Sequence, residues 1–584
     1  DAGDGKQALE AYTAAVEHPE ATAQEYVMRG AFYQQSDRYQ DALKDFNKAV
    51  NMDPNSPTAW SGLGIAYMYM EHVDPGGKPE NFQGSYDDAA IYCLRQTMDL
   101  QPDSMTTLSN LVMAENRVCD WSQRTEHFKQ LKKALKNSVA ARKNFAPPFH
   151  AFEFGYTPKE MELNSRYLAR QIERDAAADK KKVPQSKALN KDSIQGPGDK
   201  LRVAYVSGAG FHNGTTTARC LQSMFGMHDK SRVHVTGVAL SGDDQSPERK
   251  KIKESCDSWI EGRDLTTADV ATKVSKEGVH ILVDTTGYTM RARTELLPAA
   301  SVPIVFNFHG FPGTMAAPFV HYLCSDKLTT PPEYQSFYTE KLVIVPYTYL
   351  INDHKQSRRE VLGENAPSNV PNRSLIAEFE EDDIILASFN QLYKIDPKIF
   401  AAWMKILKAV PNSKMWFLRF SSAAERYLWK AAKAAGVDPD RLRFTNKFDK
   451  DIELIVKGKA DLFLDTPLFN AHTTGGDVLW AGVPILTMPR ENFASRVASG
   501  LIHSTSTHNH MIARKYADYT DLGIKLCQNA AARKRVTDAL KAERESAPLF
   551  DTKKLTGHVE VAMRAMWDVY ASDHAPMHIV VNRA

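Results

Sequence analysis

The chain of 584 residues is poor in the features that mark membranes, disulfide scaffolds and metal centres. Its six cysteines, Cys93, Cys119, Cys220, Cys256, Cys324 and Cys527, are scattered with no CxxC pair, which argues against zinc and for a reducing compartment, cytoplasmic or nuclear. No stretch approaches the ~18 uninterrupted apolar residues of a membrane span. The opening Asp1-Ala-Gly-Asp-Gly-Lys6 has no apolar signal-peptide core. It also lacks an initiating Met, so an upstream segment is expected. Excess charge of one sign is missing too: 73 Lys and Arg face 71 Asp and Glu, a formal net charge of +2. No global field therefore favours nucleic acid or membrane as a partner. GxGxxG does not follow the first strand of either α/β half, and GxxxxGK[ST] is absent, which disfavours dinucleotide enzymes and P-loop NTPases.

What is present is a globular composition, 43% hydrophobic and 25% charged, on a chain long enough for several domains at about 100–200 residues each. The first 125 residues carry a helical repeat. Gly30, Tyr33, Ala42, Phe46, Ala49 and Pro54 have tetratricopeptide spacing, and Trp60, Leu63, Gly64 and Tyr67 restart it at a period of 34. Small residues let paired helices cross closely, while aromatics fill the space between hairpins. The second repeat is interrupted by Asp74-Pro-Gly-Gly-Lys-Pro79 and resumes at Tyr86, Ala90 and Leu94. Ala8, Tyr12 and Ala15 read as the second helix of a preceding repeat, so a longer array is expected. Such an array offers either a concave surface for protein segments or a supporting, dimerising solenoid. Residues 126–200 read as a helical transition ending in a linker, with Lys180-Lys-Lys182 and Gly196-Pro-Gly198 taken as exposed connection.

From residue 201 the pattern becomes α/β. Leu201–Ser207, Val233–Leu240, His280–Asp284, Ile304–Phe308 and Val343–Val345 are buried-type strands alternating with helical stretches, and they define a first half over 201–362. After a polar linker at 363–375, a second set runs through Ile384–Ser388, Lys414–Leu418, Leu442–Phe444, Ala460–Leu464 and Val483–Thr487, over 376–555. A helix closes the chain at 556–584. The expected class is α/β with an N-terminal α-solenoid: repeat helices, then two Rossmann-like domains with a cleft between them. That layout resembles the GT-B type of nucleotide-sugar transferase.

The most informative segment is Asp465-Thr-Pro-Leu-Phe-Asn-Ala-His-Thr-Thr-Gly-Gly-Asp-Val-Leu-Trp480 with the following strand to Pro489. A strand ends, a loop of small polar residues follows, and a helix begins. Backbone N–H groups and the helix dipole at such a start favour an anion, and open parallel sheets bind ligands at strand C-terminal ends. His472, Thr473 and Thr474 add donors, and Asp477 can accept from sugar hydroxyls. The alternative is a plain capped helix, with Thr473 or Thr474 as the cap.

Ser388-Phe-Asn-Gln-Leu-Tyr-Lys-Ile-Asp-Pro397, Val410-Pro-Asn-Ser413, Leu418-Arg-Phe420 and the 465–488 segment closely resemble the eukaryotic protein O-linked N-acetylglucosaminyltransferases. The likeness extends to Val118-Cys-Asp-Trp121, Tyr205-Val-Ser207, Gly278-Val-His-Ile-Leu-Val283, Gly287-Tyr-Thr289, Phe311-Pro-Gly-Thr314, Ala494-Ser-Arg-Val497, Pro548-Leu-Phe-Asp-Thr-Lys553 and Met566-Trp567, nearly the whole chain. The resemblance implies a UDP-GlcNAc donor, Ser or Thr acceptors on proteins, and inversion without a required metal or other cofactor. It implies Lys394 as the catalytic cation against the leaving diphosphate, the kind of fixed charge that stabilises a growing anion. Gln391 and Tyr393 fall beside the diphosphate or uridine. His472, Thr473 and Thr474 fall on phosphate, Asp477 on the ribose, Lys450 on the uridine side, and Gly310 on the substrate.

Two departures stand out. The family's first-strand loop reads Asp-Phe-Gly-Asn-His-Pro, whereas here Gly208-Ala-Gly-Phe-His-Asn-Gly214 offers His212 in place of the active-site His. The uracil-stacking His expected near Glu453 or Leu454 is absent. The group that deprotonates the acceptor is left open among His212, His280 and the donor's own phosphate. A related transferase using another nucleotide sugar, such as an O-fucosyltransferase, and an inactive repeat scaffold remain as competing expectations. The long insertion that animal enzymes carry between the halves is replaced by the short linker at 364–372.

Overall fold

The computed structural model describes residues 2–74, 77–80, 82–141, 146–194, 199–208, 210–212, 214–364, 366–505 and 509–582. Seven helices come first: Ala2–Glu17, Ala23–Gln35, Tyr39–Met52, Pro57–Val73, Tyr86–Leu100, Met105–Arg117 and Arg124–Ala141. Their starts are written in the sequence. Thr22 with Glu25 and Ser85 with Asp88 form capping boxes, and Ser56 caps a helix with Pro57 in its first turn. Close crossing depends on the repeat glycines, since a Cβ on Gly30 would lie 3.1 Å from the Phe46 ring and one on Gly62 would overlap it at 2.3 Å. The interruption after the helix ending at Val73 falls where expected, although Pro75 and Gly76 lie outside the described residues, as do Gly196-Pro-Gly198 of the linker.

Every strand of the two sheets pairs in parallel. The first sheet holds Leu201–Ser207 (β1), Val233–Ala239 (β2), Ser258–Glu261 (β3), Ile281–Asp284 (β4), Ile304–Asn307 (β5), Tyr322–Asp326 (β6) and Lys341–Val345 (β7). The second holds Ile384–Ser388 (β8), Ser413–Leu418 (β9), Leu442–Thr445 (β10), Leu462–Leu464 (β11) and Ile485–Leu486 (β12). The chain then returns: helix Thr552–Ala571 packs on the first half, and Ile579–Val580 (β13) pairs with β7. The orders are β13-β7-β6-β5-β4-β1-β2-β3 and β10-β9-β8-β11-β12. In each sheet the parallel pairing puts the strand C-terminal ends on one edge, where α/β sheets carry ligand sites.

Several strands differ from the sequence pattern. The apolar runs at 460–464 and 483–487 shrink to three and two strand residues because the flanking residues turn into loops. Strands β3, β6 and β13 carry too little patterning to be read in advance. The last repeat helices brace the second half. Helix Met105–Arg117 packs on the turn at Leu392–Lys394, Cys119 Sγ lies 3.5 Å from the Leu392 carbonyl, and Trp121 meets Phe400 at 5.4 Å. No described helix is long and apolar enough to cross a membrane.

Candidate active site

The segment after β11 is organised by Asp465, which is fully buried. Its Oδ1 accepts from the Ala471 N–H at 2.7 Å and from Asn390 Nδ2 at 3.2 Å, and its Oδ2 accepts from Thr487 Oγ1 at 2.6 Å. Burial pushes this carboxyl up to about 6, against those hydrogen bonds and the nearby Lys394 charge. The loop is closed by Thr466 Oγ1 donating to the Phe469 carbonyl at 2.7 Å and Asn470 Nδ2 to the Thr466 carbonyl at 2.8 Å. It delivers the chain into helix Thr473–Trp480. Neither Thr473 nor Thr474 is the cap. That position is His472, whose side chain makes no capping bond. The first-turn N–H groups of a helix have no partner within it, so they remain as donors that an anion could take.

Lys394 ends the short turn Leu392–Lys394 after β8. Its Nζ donates to the Asn470 carbonyl at 2.9 Å and sits 3.9 Å above the Phe469 ring. Desolvation lowers the ammonium to about 8, while Asp465 and Glu153 act the other way. Gln391 caps the same turn and accepts the Lys394 N–H at 3.1 Å. Tyr393 packs 6.3 Å from Phe469 and 6.4 Å from His150, and burial, reinforced by Glu153, raises its phenol. His472 Nε2 faces the Ala494 carbonyl at 3.0 Å, which makes it the protonated nitrogen. Burial, then Lys394 and His309, hold this imidazole neutral, down to about 3. Lys394, His472 and the helix start are therefore brought to one place.

Asp477 lies in the same helix with both oxygens engaged. His354 Nε2 is 2.9 Å from Oδ1, and the buried Lys457 donates to Oδ2 at 3.1 Å. Burial opposes ionisation, yet Lys457 and His354 hold the carboxyl well below the usual carboxylate range. Lys457 also pairs with Glu453, one of the two positions near which the stacking His was expected. Lys450 starts helix Lys450–Lys457 and pairs across the cleft with Glu248 of the first half.

The first half supplies the opposite wall. Gly310 follows β5, and a Cβ there would lie 2.0 Å from the Thr285 carbonyl, so only glycine fits. His212 follows β1, with Nε2 2.5 Å from the Gly242 carbonyl and 2.9 Å from Ser241 Oγ; its neighbours Ala209 and Asn213 lie outside the described residues. His280 precedes β4, at the opposite edge from the strand C-terminal ends. It accepts the Arg202 N–H at 2.9 Å, meets Ser193 Oγ at 3.2 Å and packs 4.5 Å from Trp567, so it is a core residue. Ser207 Oγ, the Asn307 amide and Ser388 Oγ, each at a strand C-terminal end, are buried with no protein hydrogen-bond partner. Native interiors rarely leave such groups unpaired. A polar ligand would pair them.

Sequence reasoning missed Asp465 as an organiser, Lys457 and His354 as the partners of Asp477, and His309. Asp465 was signalled, since an acidic residue closing an apolar strand before a polar loop is a turn-forming pattern. The partners of Asp477 were not, because nothing local couples positions 123 and 20 residues away.

Comparison with known proteins shows the family and the fold. The family described as Glycosyl transferase family 41 matches residues 118–366 and 357–559, and a TPR repeat matches residues 30–70. The chain is 35% identical over 470 residues to a probable UDP-N-acetylglucosamine–peptide N-acetylglucosaminyltransferase SEC of Arabidopsis thaliana, covering 80% of this chain and 47% of that protein. It is 29% identical to the UDP-N-acetylglucosamine–peptide N-acetylglucosaminyltransferase of Caenorhabditis elegans, over 66% of this chain and 42% of that one. The chain thus spans about half the length of these curated relatives. A Thermobaculum terrenum O-GlcNAc transferase mutant shares the fold, with a TM-score of 0.72 over 94% of this chain and 98% of that chain at 20% identity.

Proposed function

The chain belongs to glycosyl transferase family 41, and on that premise we propose that it moves N-acetylglucosamine from UDP-GlcNAc to Ser or Thr hydroxyls of proteins, with inversion. The observation that carries this reading is the half-buried Lys394 ammonium, held at the mouth of the helix that begins at Thr473. As the acceptor oxygen attacks the sugar's C1, the bond from C1 to the β-phosphate oxygen breaks and its electron pair stays on UDP. Negative charge grows on the diphosphate. Lys394, the free N–H groups at Thr473 and Thr474, and the Nε2–H of His472, if turned from Ala494, are proposed to receive it. Fixed donors need no reorganisation at that moment, and on this reading no metal is needed. Gln391 and Tyr393 shape the diphosphate side, Lys450 the uridine side and Gly310 the close approach of the sugar.

Asp477 is proposed to take the ribose hydroxyls, sharing lone pairs already used by His354 and Lys457. A carboxylate has about four acceptor sites, so two remain. His212 is the proposed general base: with Nε2–H donating to the Gly242 carbonyl, Nδ1 keeps its lone pair for the acceptor proton. The repeats are proposed to guide acceptor segments toward the cleft, and the six free cysteines support a reducing compartment. A second reading, a different donor sugar, is favoured by one observation: near Glu453 and Leu454, where the family's stacking His is expected, Glu453 is tied to Lys457 and no imidazole stands. Incubating the chain with an acceptor protein and UDP-GlcNAc, UDP-glucose or GDP-fucose, then weighing the intact acceptor, separates the two. A gain of one N-acetylhexosamine from UDP-GlcNAc supports the first reading. A gain only from another donor replaces it with the second.

A further inference from the structure

His309 stands on the first-half wall between the last residue of β5 and Gly310. Three observations set it apart. Its φ is +79°, in the left-handed region that a non-glycine residue rarely occupies. The Gly310 N–H donates to the Phe308 carbonyl at 3.1 Å, two residues back, so His309 is the central residue of a γ-turn in its strained form. His309 is only 8% exposed, and neither ring nitrogen makes a hydrogen bond of full geometry, although the Ile351 backbone lies near enough to act on it. Strained backbone and an unpaired buried imidazole both disfavour the folded chain, and both persist where the surroundings hold a group ready for something else.

What it faces narrows the choice. A charge on His309 would act on His472, the residue that opens the helix on the opposite half. Burial, which outweighs the nearby Ile351 backbone, also holds His309 itself neutral, down to about 4. A neutral imidazole presents one N–H donor and one lone pair. That pair of functions matches a sugar hydroxyl, which accepts and donates, and matches a fully ionised diphosphate poorly, since the diphosphate only accepts. The backbone beside it is closely packed, since Gly310 lies on Thr285 without room for a side chain.

We propose that His309 is a sugar-reading residue, which grips a hydroxyl of the transferred pyranose with both ring nitrogens and thereby sets which donor sugar is accepted. This rests on the nucleotide-sugar reading above. Direct binding of UDP and of UDP-GlcNAc, by calorimetry without acceptor, tests it in wild type, His309→Leu and His309→Gln. The wild-type ratio of the two affinities is the reference. In His309→Leu the UDP affinity stays within about twofold, while UDP-GlcNAc weakens by roughly 10- to 100-fold, the loss of a buried hydrogen bond that leaves its partner unpaired. His309→Gln, which keeps a donor and an acceptor, recovers part of the difference. Equal weakening of both ligands, or none, in a folded His309→Leu protein overturns the proposal. Should that variant fail to fold, unchanged sugar preference in His309→Gln together with unchanged preference in His309→Asn does the same. If wild type binds neither UDP nor UDP-GlcNAc, the nucleotide-sugar reading fails first, and this inference with it.

Discussion

Replacing Lys394 with Met separates catalysis from stability at one position. Met keeps the apolar stem over Phe469, 3.9 Å below the ammonium, and removes only the charge and its bond to the Asn470 carbonyl. Losing a fixed donor aimed at developing negative charge should lower turnover by about 10³-fold, near 4 kcal/mol, with UDP affinity largely kept. Stability should move the other way. The ammonium falls from 10.5 to about 8, so its charged form is disfavoured by folding. That penalty is complete below about 8, shrinks between 8 and 10.5, and vanishes above 10.5, with an upper limit of roughly 3 kcal/mol. Denaturant unfolding should therefore find the Met variant more stable than wild type near neutral pH and level with it near pH 10.5. Wild-type turnover should also fall as pH rises through about 8, a limb that the variant lacks. Turnover of Lys394→Met within tenfold of wild type, or an alkaline limb unchanged in the variant, would refute the role.

Asp477→Asn removes one of the two carboxylates that pair the buried Lys457, leaving only Glu453, and should lose up to roughly 3 kcal/mol in chemical denaturation at neutral pH. Because the wild-type carboxyl sits well below its ordinary value, that advantage is present above about pH 4 and is lost as pH falls further. A gap that persists unchanged at low pH would contradict the pairing. Gly310→Ala must push the Thr285 carbonyl from 2.0 Å, and should lower stability by about 1–3 kcal/mol with reduced UDP-GlcNAc binding; a neutral thermal melt would show the wall is softer than its geometry. His212→Ala should lower single-turnover rates by about 10²-fold or more if its Nδ1 takes the acceptor proton. A fall of less than tenfold would give that proton to the donor's phosphate.

How far the site could be read in advance follows from the distance over which each piece is encoded. The 388–397 and 465–489 segments are legible because a strand, a polar loop and a helix start are consecutive, so periodicity and turn chemistry are local. The repeats are legible for the same reason: the step from Gly30 to Gly64 is a packing rule inside one hairpin pair. The second half's strands β11 and β12 were overestimated, since an apolar run marks burial and the loops beside them are equally buried, as Asp465, Thr466 and Asn470 show at 0% exposure. The clamp on Asp477 is written nowhere locally, and the return of β13 to β7 joins residues more than 230 positions apart.

The same contrast explains why the two walls differ in kind. On the second half, charge and donors arise from helix geometry and a single lysine, features that any sequence with a strand, loop and helix can supply. On the first half, the decisive features are stereochemical: a glycine pressed on Thr285, a left-handed His309 and the unpaired polar groups of Ser207 and Asn307 at strand ends. Such features depend on how β4 and β5 lie side by side, with Asp284 opposite Asn307 in register. The repeat helix packed on Leu392–Lys394 ties the repeats to the second half: moving that helix moves the turn that carries the ammonium. A substitution beside the Met105–Arg117 contact is therefore expected to alter turnover before it alters nucleotide affinity, since on the proposed reading Lys394 acts on the breaking bond while the helix start holds the diphosphate. Steady-state kinetics beside UDP calorimetry on Cys119→Trp, just past that helix and against the Leu392 carbonyl, would decide it, and a parallel loss in both would overturn it.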